Sequence, residues 1–201
     1  MLFLKGLAFG FVLAATVGPM WVLCFRRTVA FGALTGFVSG MGIAVADGLY
    51  GAVAAFGLTA VSGLLLQHSF WIGLVGGAFL VTLGTRTLLS KPGTGGGTAR
   101  PASLAQAFLS TLALTLANPP TILAFAAIFV GLGLSANADY ALAATIVAGV
   151  FLGSAAWWVV LAAGAGALRD RLGPCLLRAI NIFSGLTILG FAAWQFAQLL
   201  R

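Results

Sequence analysis

Apolar residues run along this chain in long blocks rather than in alternation. No Asp, Glu, Lys or Arg occurs in residues 6–25, 28–46, 48–85, 101–138, 140–168 or 179–200. A helix needs about 20 apolar residues to cross a hydrocarbon core of about 30 Å, so blocks of this length predict membrane-spanning helices. The blocks 48–85 and 101–138 are longer than one pass requires. If Asp47 lies within the membrane, residues 28–85 divide into two helices around "TAVSGLLLQHS", where Gln67 and His68 supply a polar turn. The pattern then predicts six spans, at about 3–25, 34–58, 68–89, 104–134, 140–166 and 178–199. In the alternative division Asp47 ends a helix and 48–85 becomes a span and a half.

Composition agrees with the blocks. Of 201 residues, 61% are hydrophobic and 6% charged, against roughly 25% charged in soluble domains. The chain therefore reads as an all-α integral membrane protein. The N-terminal block has no A-x-A-like cleavage site at its end and is expected to be the first span, not a signal peptide. The net charge of +7 does not indicate nucleic acid, because the basic residues fall between apolar blocks instead of on one soluble face. They report topology. Arg26, Arg27, Arg86, Lys91, Arg100, Arg169, Arg171 and Arg178 fall after spans 1, 3 and 5, whereas Lys5 and Arg201 fall on the other side. The positive-inside rule then places both termini outside the cytoplasm. Cys24 and Cys175 lie near cytoplasmic helix ends, where thiols stay reduced, and read as small buried hydrophobes.

"SKPGTGGGTARP", within residues 90–102, is a flexible Gly/Pro-rich linker that divides the chain into three-helix halves, 1–89 and 103–201. At an offset of 100 residues, "GPMWVLCF" (18–25) lies over "NPPTILAF" (118–125), matching Pro19 with Pro119, Leu23 with Leu123 and Phe25 with Phe125. Each segment sits in the first helix of its half and carries a helix breaker. An odd number of spans per half inverts the second half in the membrane. The expected architecture is two inverted three-helix repeats with helices 1 and 4 broken, a construction shared by many secondary transporters. Proline frees backbone carbonyls, which the bilayer tolerates only beside protein or a water-filled cavity. Thr16, Gly18, Pro19, Asn118, Pro119, Pro120 and Thr121, with Thr115, are the candidate lining of such a cavity. A kink whose carbonyls are satisfied by neighbouring hydroxyls is the structural alternative.

Asp47 is the candidate for chemistry. At about 100° per residue, Gly36, Gly40, Asp47 and Gly51 share an arc of about 60° on the second helix, and Gly32 extends it. Small residues at this spacing admit a neighbouring helix, so the face should point inward. A lipid-facing Asp is disfavoured by about 2.5–3.5 kcal/mol. Gly149, Gly153 and Ala156 repeat the stripe in the second half, with Ala156 where the first half has Asp47. An acid in a cavity that alternates between wet and dry can exchange a proton; it can equally attract a substrate ammonium or a cation, or be held permanently by Arg27, a Thr or a helix N-terminus. His68 reads as a solvated turn residue, and Trp71, Trp157, Trp158 and Trp194 as interfacial or packing aromatics. Arg86 should snorkel to the cytoplasmic interface, and Asn181 could cap or bridge helices 5 and 6. No metal cluster, activated nucleophile or phosphate loop is evident, so neither an enzyme nor a cofactor is expected.

"VGPMWVLCFRRTVAFGALTGFVSGMGIAVADGLYGAVAAFGL" (17–58), "GGAFLVTLGTRTLLSKP" (76–92), "ANPPTILAFAAIFVGLG" (117–133), "GVFLGSAAWW" (149–158) and "INIFSGLTILGF" (180–191) together resemble the LysE/RhtB amino-acid exporters. The resemblance implies a six-helix exporter in a bacterial inner membrane that moves amino acids or related small metabolites outward, driven by proton exchange. By position, Gly18-Pro19 and Asn118-Pro119 look like the family's paired breaks and Asp47 like its intramembrane acid. The family commonly has Gly where this chain has Ala46, and Lys or another polar residue where it has Pro120, so the substrate class does not transfer. A small-molecule substrate, the lipid bilayer and a homodimer are the partners considered, and metal none. A metal-ion or other small-cation exporter is the alternative function. A thiol-disulfide carrier would need matched cysteines, but Cys24 lies opposite Ala124.

Overall fold

The computed structural model of the chain describes residues 1–55, 67–89, 103–118, 140–169 and 173–200. Among them are seven helices and no strand: α1 (Leu2–Ala15), α2 (Pro19–Phe31), α3 (Ala33–Ala55), α4 (Ser69–Leu88), α5 (Leu104–Leu116), α6 (Tyr140–Arg169) and α7 (Pro174–Leu199). The linker and Pro119, Pro120 and Thr121 lie outside the described residues.

Pro19 sets the first bend. Its ring clashes with a helical carbonyl four residues back, so α1 ends at Ala15 and a new helix starts with Pro19 in its first turn, where the missing N–H has no helical role. Gly18 caps α2 in an extended conformation, and α1 and α2 meet at 75°. The first span therefore does not end near residue 25 as the apolar block suggested; α2 carries it to Phe31, and Arg26 and Arg27 are helical. Gly32 then turns the chain with φ 97°, a left-handed value that a Cβ would strain, and its N–H donates to the Thr28 carbonyl at 2.9 Å. Gly32 is thus the corner between α2 and α3, not a member of the α3 stripe.

Four helices, α3, α4, α6 and α7, are long and apolar enough to cross a membrane, and the bent α1–α2 pair makes five. At 23 residues, α3 is about 34 Å long, enough for a hydrocarbon core. α5 has 13 residues before the Asn118-Pro119 motif.

Small residues bring the backbones together. α1 packs on α6 through Gly6 and Gly10, where a Cβ would meet the Ile146 and Val150 carbonyls, and Gly149 and Gly153 in turn face the α1 backbone at Phe3 and Leu7. On α3, Gly36 faces Thr28 of α2, Gly40 lies against the Trp158 ring of α6, and Gly42 meets α5 at Phe108 and Thr111. The Thr111 hydroxyl donates to the Ser39 carbonyl at 2.6 Å across the α3–α5 contact. The α4–α7 pair is joined to the rest through Val22 and Leu23 of α2, which pack with Leu80, Leu83, Leu114 and Ile188. Large apolar side chains such as Phe79, Leu152, Phe183 and Leu186 are exposed, while Ser39, Thr87, Thr111 and Ser154 are buried. Apolar residues outside and hydroxyls inside suit a protein whose solvent is lipid.

Candidate functional site

The bend between α1 and α2 opens on a cavity of about 250 Å³, roughly eight water volumes at about 30 Å³ each. Its polar lining is Thr16, Asp47, Thr115 and Asn118, and Met20, Trp21, Ile43 and Trp158 form apolar walls. The cavity is floored by the break itself, at Ala14, Gly18 and Pro19. Because one helix ends and another begins there, carbonyls of the α1 C-terminus and N–H groups of the α2 N-terminus meet at a single place. Their partial charges are opposite in sign and of about half an elementary charge each. Thr16 offsets part of this: its N–H donates to the Leu13 carbonyl at 3.2 Å and its hydroxyl to the Val12 carbonyl at 3.1 Å.

Asp47 is 3% exposed and reaches the cavity from α3. Its Oδ2 accepts a hydrogen bond from the Ser154 hydroxyl of α6 at 2.8 Å. Arg27, a sequence candidate for its partner, points elsewhere. Ala156, matched to Asp47 by stripe spacing, is exposed, and the residue of α6 that actually faces the acid is Ser154. Sequence reasoning missed Ser154, whose only clue was its place beside Gly153 on the stripe. Gly36, Gly40 and Gly51 are buried with Asp47.

At the other break, Asn118 and Thr115 line the same cavity. Prolines at 119 and 120 cannot supply the N–H groups that helix geometry would direct to the carbonyls of Thr115 and Leu116. Other donors replace both. The Asn118 N–H donates to Thr115 at 3.1 Å, and the Tyr50 hydroxyl donates to Leu116 at 2.7 Å. Tyr50 stands one turn beyond Asp47 on α3, a spacing that could have marked it.

A second polar cluster lies farther along α2. Arg26 and Arg27 are 3% and 5% exposed, not loop charges as the positive-inside count assumed. Arg26 Nε donates to Asn181 Oδ1 on α7 and its Nη1 to Thr87 Oγ1 on α4, both at 2.9 Å. Asn181 thus bridges α7 to α2 rather than helices 5 and 6. Arg27 Nη1 donates to Ser39 Oγ at 3.1 Å and to the Ala107 carbonyl at 3.0 Å, and its Nη2 to Ser110 Oγ at 2.9 Å. All five of these acceptors are neutral. The signal for this cluster was Pro19: a helix restarting there still has residues 26 and 27 in its second and third turns, inside the protein.

Other candidates stay outside both clusters. Arg86 is exposed in the last turn of α4, His68 is exposed at its start, and Trp71 and Trp194 are exposed to the surroundings. Trp158 is buried in the core beside Cys24, whereas Cys175 is exposed at the start of α7, contrary to the buried role expected of it.

A bent, apolar span, a buried acid and a solute-sized cavity within a bundle of spanning helices define a multi-pass membrane transporter. The chain belongs to the LysE type translocator family, whose profile matches residues 11–198. A protein of Bacillus subtilis (strain 168) named "Putative amino acid efflux protein YcgF" is 26% identical over 195 residues, which cover 94% of this chain and 92% of that protein. No solved structure gives a significant match. The family resemblance drawn from the sequence motifs is borne out.

Proposed function

We propose that this chain exports amino acids or related small metabolites from a bacterial cytoplasm, exchanging each for a proton carried on Asp47. The observation that carries the reading is the acid itself, buried at the wall of the cavity with a hydroxyl, not a cation, as its described side-chain partner. A carboxylate so placed can take up a proton and release it again without breaking an ion pair. The name of the Bacillus subtilis relative supports amino acids as the solute. A zwitterion suits the cavity, because the α2 N-terminus offers N–H groups to a carboxylate while α1 carbonyls suit an ammonium.

The architecture we propose is six spans in inverted halves, 1–89 and 103–201, joined by the linker. Helix pairing supports it. Exchanging the halves turns the α1–α6 contact into the α3–α5 contact, while the α3–α6 and α4–α7 contacts map onto themselves. The orientation also stands after Arg26 and Arg27 are withdrawn from the count. Six basic residues (Arg86, Lys91, Arg100, Arg169, Arg171, Arg178) then oppose two (Lys5, Arg201), which favours termini outside the cytoplasm.

The test is a solute panel in proteoliposomes, with thermal stabilisation measured in parallel. Amino-acid efflux, and stabilisation by the same amino acid, are expected. Efflux of metal or other small cations alone would favour the cation-exporter reading, and purified protein that moves nothing would contradict transport by this chain. Efflux should persist in Cys24→Ser and Cys175→Ser; its loss in either would point to thiol chemistry instead.

A further inference from the structure

We propose that Arg27, with Arg26 beside it, is the cytoplasmic gate of the route to the cavity, and that it opens by exchanging its neutral partners for the carboxylate of an incoming solute. The inference rests on the exporter reading above and goes beyond it by assigning a second station and the solute group it recognises.

Position comes first. Arg27 lies eight residues beyond Pro19, about 12 Å along α2 from the break where the cavity begins. On the orientation given above, that direction leads to the cytoplasm. The two arginines reach different neighbours of α2. Arg26 fastens it to Thr87 of α4 and Asn181 of α7, and Arg27 fastens it to Ser39 of α3 and to Ala107 and Ser110 of α5. A solute that moves along α2 from the cytoplasm towards the cavity would part α2 from one of these groups.

The chemistry of the acceptors comes second. A guanidinium binds a carboxylate in a two-pronged, charge-assisted geometry that is stronger than its bonds to hydroxyls or carbonyls. A gate closed by Asp or Glu would compete with an entering carboxylate, whereas one closed by neutral oxygens yields to it. Arg27 has a donor to spare for that exchange, since its Nε is buried and bonded to no acceptor among the described residues. Nor does opening strand the serines. Ser39 already donates to the Thr35 carbonyl at 2.8 Å and Ser110 to the Ala107 carbonyl at 3.1 Å. At the positions 100 residues on, the second half has Ala126 and Ala127, so the arginine gate belongs to one side of the membrane only.

The separation fixes the order of events. An α-amino acid carries its ammonium and carboxylate on one carbon and cannot span the distance from Arg27 to the cavity, so the two sites act in succession.

The chain supplies its own reporter. Cys24 is fully buried, packed with Ile43 of α3 and Trp158 of α6, and lies within about 60° of Arg27 around α2. In a Cys175→Ser background, Cys24 in membranes is challenged from the cytoplasmic side with an impermeant maleimide. The probes are a mixture of the twenty protein amino acids and the matching mixture of amino-acid amides. The amino acids should speed labelling about tenfold and the amides should not. Arg27→Gln should label fast without solute and respond to neither mixture; Arg27→Lys and Ser110→Ala, as milder changes, should weaken the difference between acids and amides if Arg27→Gln does not fold. Equal acceleration by acids and amides, or Cys24 as slow in the Arg27 variants as in the parent, would overturn the gate. Efflux measured on the same preparations separates the two ideas: absent efflux in the parent contradicts the exporter, while normal efflux with carboxylate-blind labelling contradicts only the gate.

Discussion

Asp47 and the Arg26–Arg27 pair are all buried charges on neighbouring helices, yet their surroundings differ. The acid stands at a cavity wall with one hydroxyl, Ser154, on its Oδ2. Arg27 is held by three neutral oxygens of α3 and α5, and Arg26 bonds to Thr87 of α4 and Asn181 of α7. Opposite charges this close in sequence would normally neutralise each other, because a buried ion pair spares each partner an uncompensated charge. Here they are kept apart. A paired Asp47 could not trade its proton freely, and an Arg27 paired with a carboxylate could not yield to a solute. Separation leaves each group available for a different task, one at the cavity and one at its approach.

The largest expected effect tests the acid. Asp47→Asn preserves shape and removes the charge, so net efflux driven by a proton gradient should fall to the level of empty vesicles while exchange of solute for solute persists. Wild-type net efflux by that variant would remove Asp47 from the mechanism. Next comes Ser154→Ala, which should slow net efflux several-fold in the parent and leave the solute-for-solute exchange of Asp47→Asn unchanged. Slower exchange in the double variant than in Asp47→Asn alone would mean that Ser154 acts elsewhere.

The smallest effect concerns the second break and should touch stability alone. Tyr50→Phe leaves the Leu116 carbonyl without its hydroxyl donor and should lower stability by about 1–3 kcal/mol, read from thermal unfolding in detergent. Pro120→Ala restores an N–H at the position from which a helix would reach Leu116, so it should recover part of that loss. If Pro120→Ala leaves the Tyr50→Phe loss unchanged, the Tyr50 hydroxyl is not standing in for the proline's missing donor.

Much of this was readable in the chain. The uncharged blocks announced the long helices, Pro19 announced the bend, and the glycine spacing turned Asp47 inward, because each depends on local chain geometry. The arginines were misread for a physical reason. A charge between two apolar blocks is ordinarily a loop charge, and only the restart of the helix at Pro19 keeps residues 26 and 27 inside. Thr87 had no local signal, and Asn181 was marked as a polar bridge but with the wrong partner, since the value of both lies in a contact with Arg26 across 61 and 155 residues. The same holds for α1, whose Gly6 and Gly10 become meaningful only against Gly149 and Gly153. Tyr50 lies between these cases: the proline pair predicts two orphaned carbonyls, but not which side chain reaches them.

The central claim is that Asp47 carries the proton exchanged for solute, and counting protons tests it most directly. Proteoliposomes with a trapped pH-sensitive dye and an outward gradient of the transported amino acid should show protons moving inward in fixed proportion to solute for the wild type, and no coupled proton movement for Asp47→Asn. Protons moving in the wild-type proportion through Asp47→Asn would contradict the account.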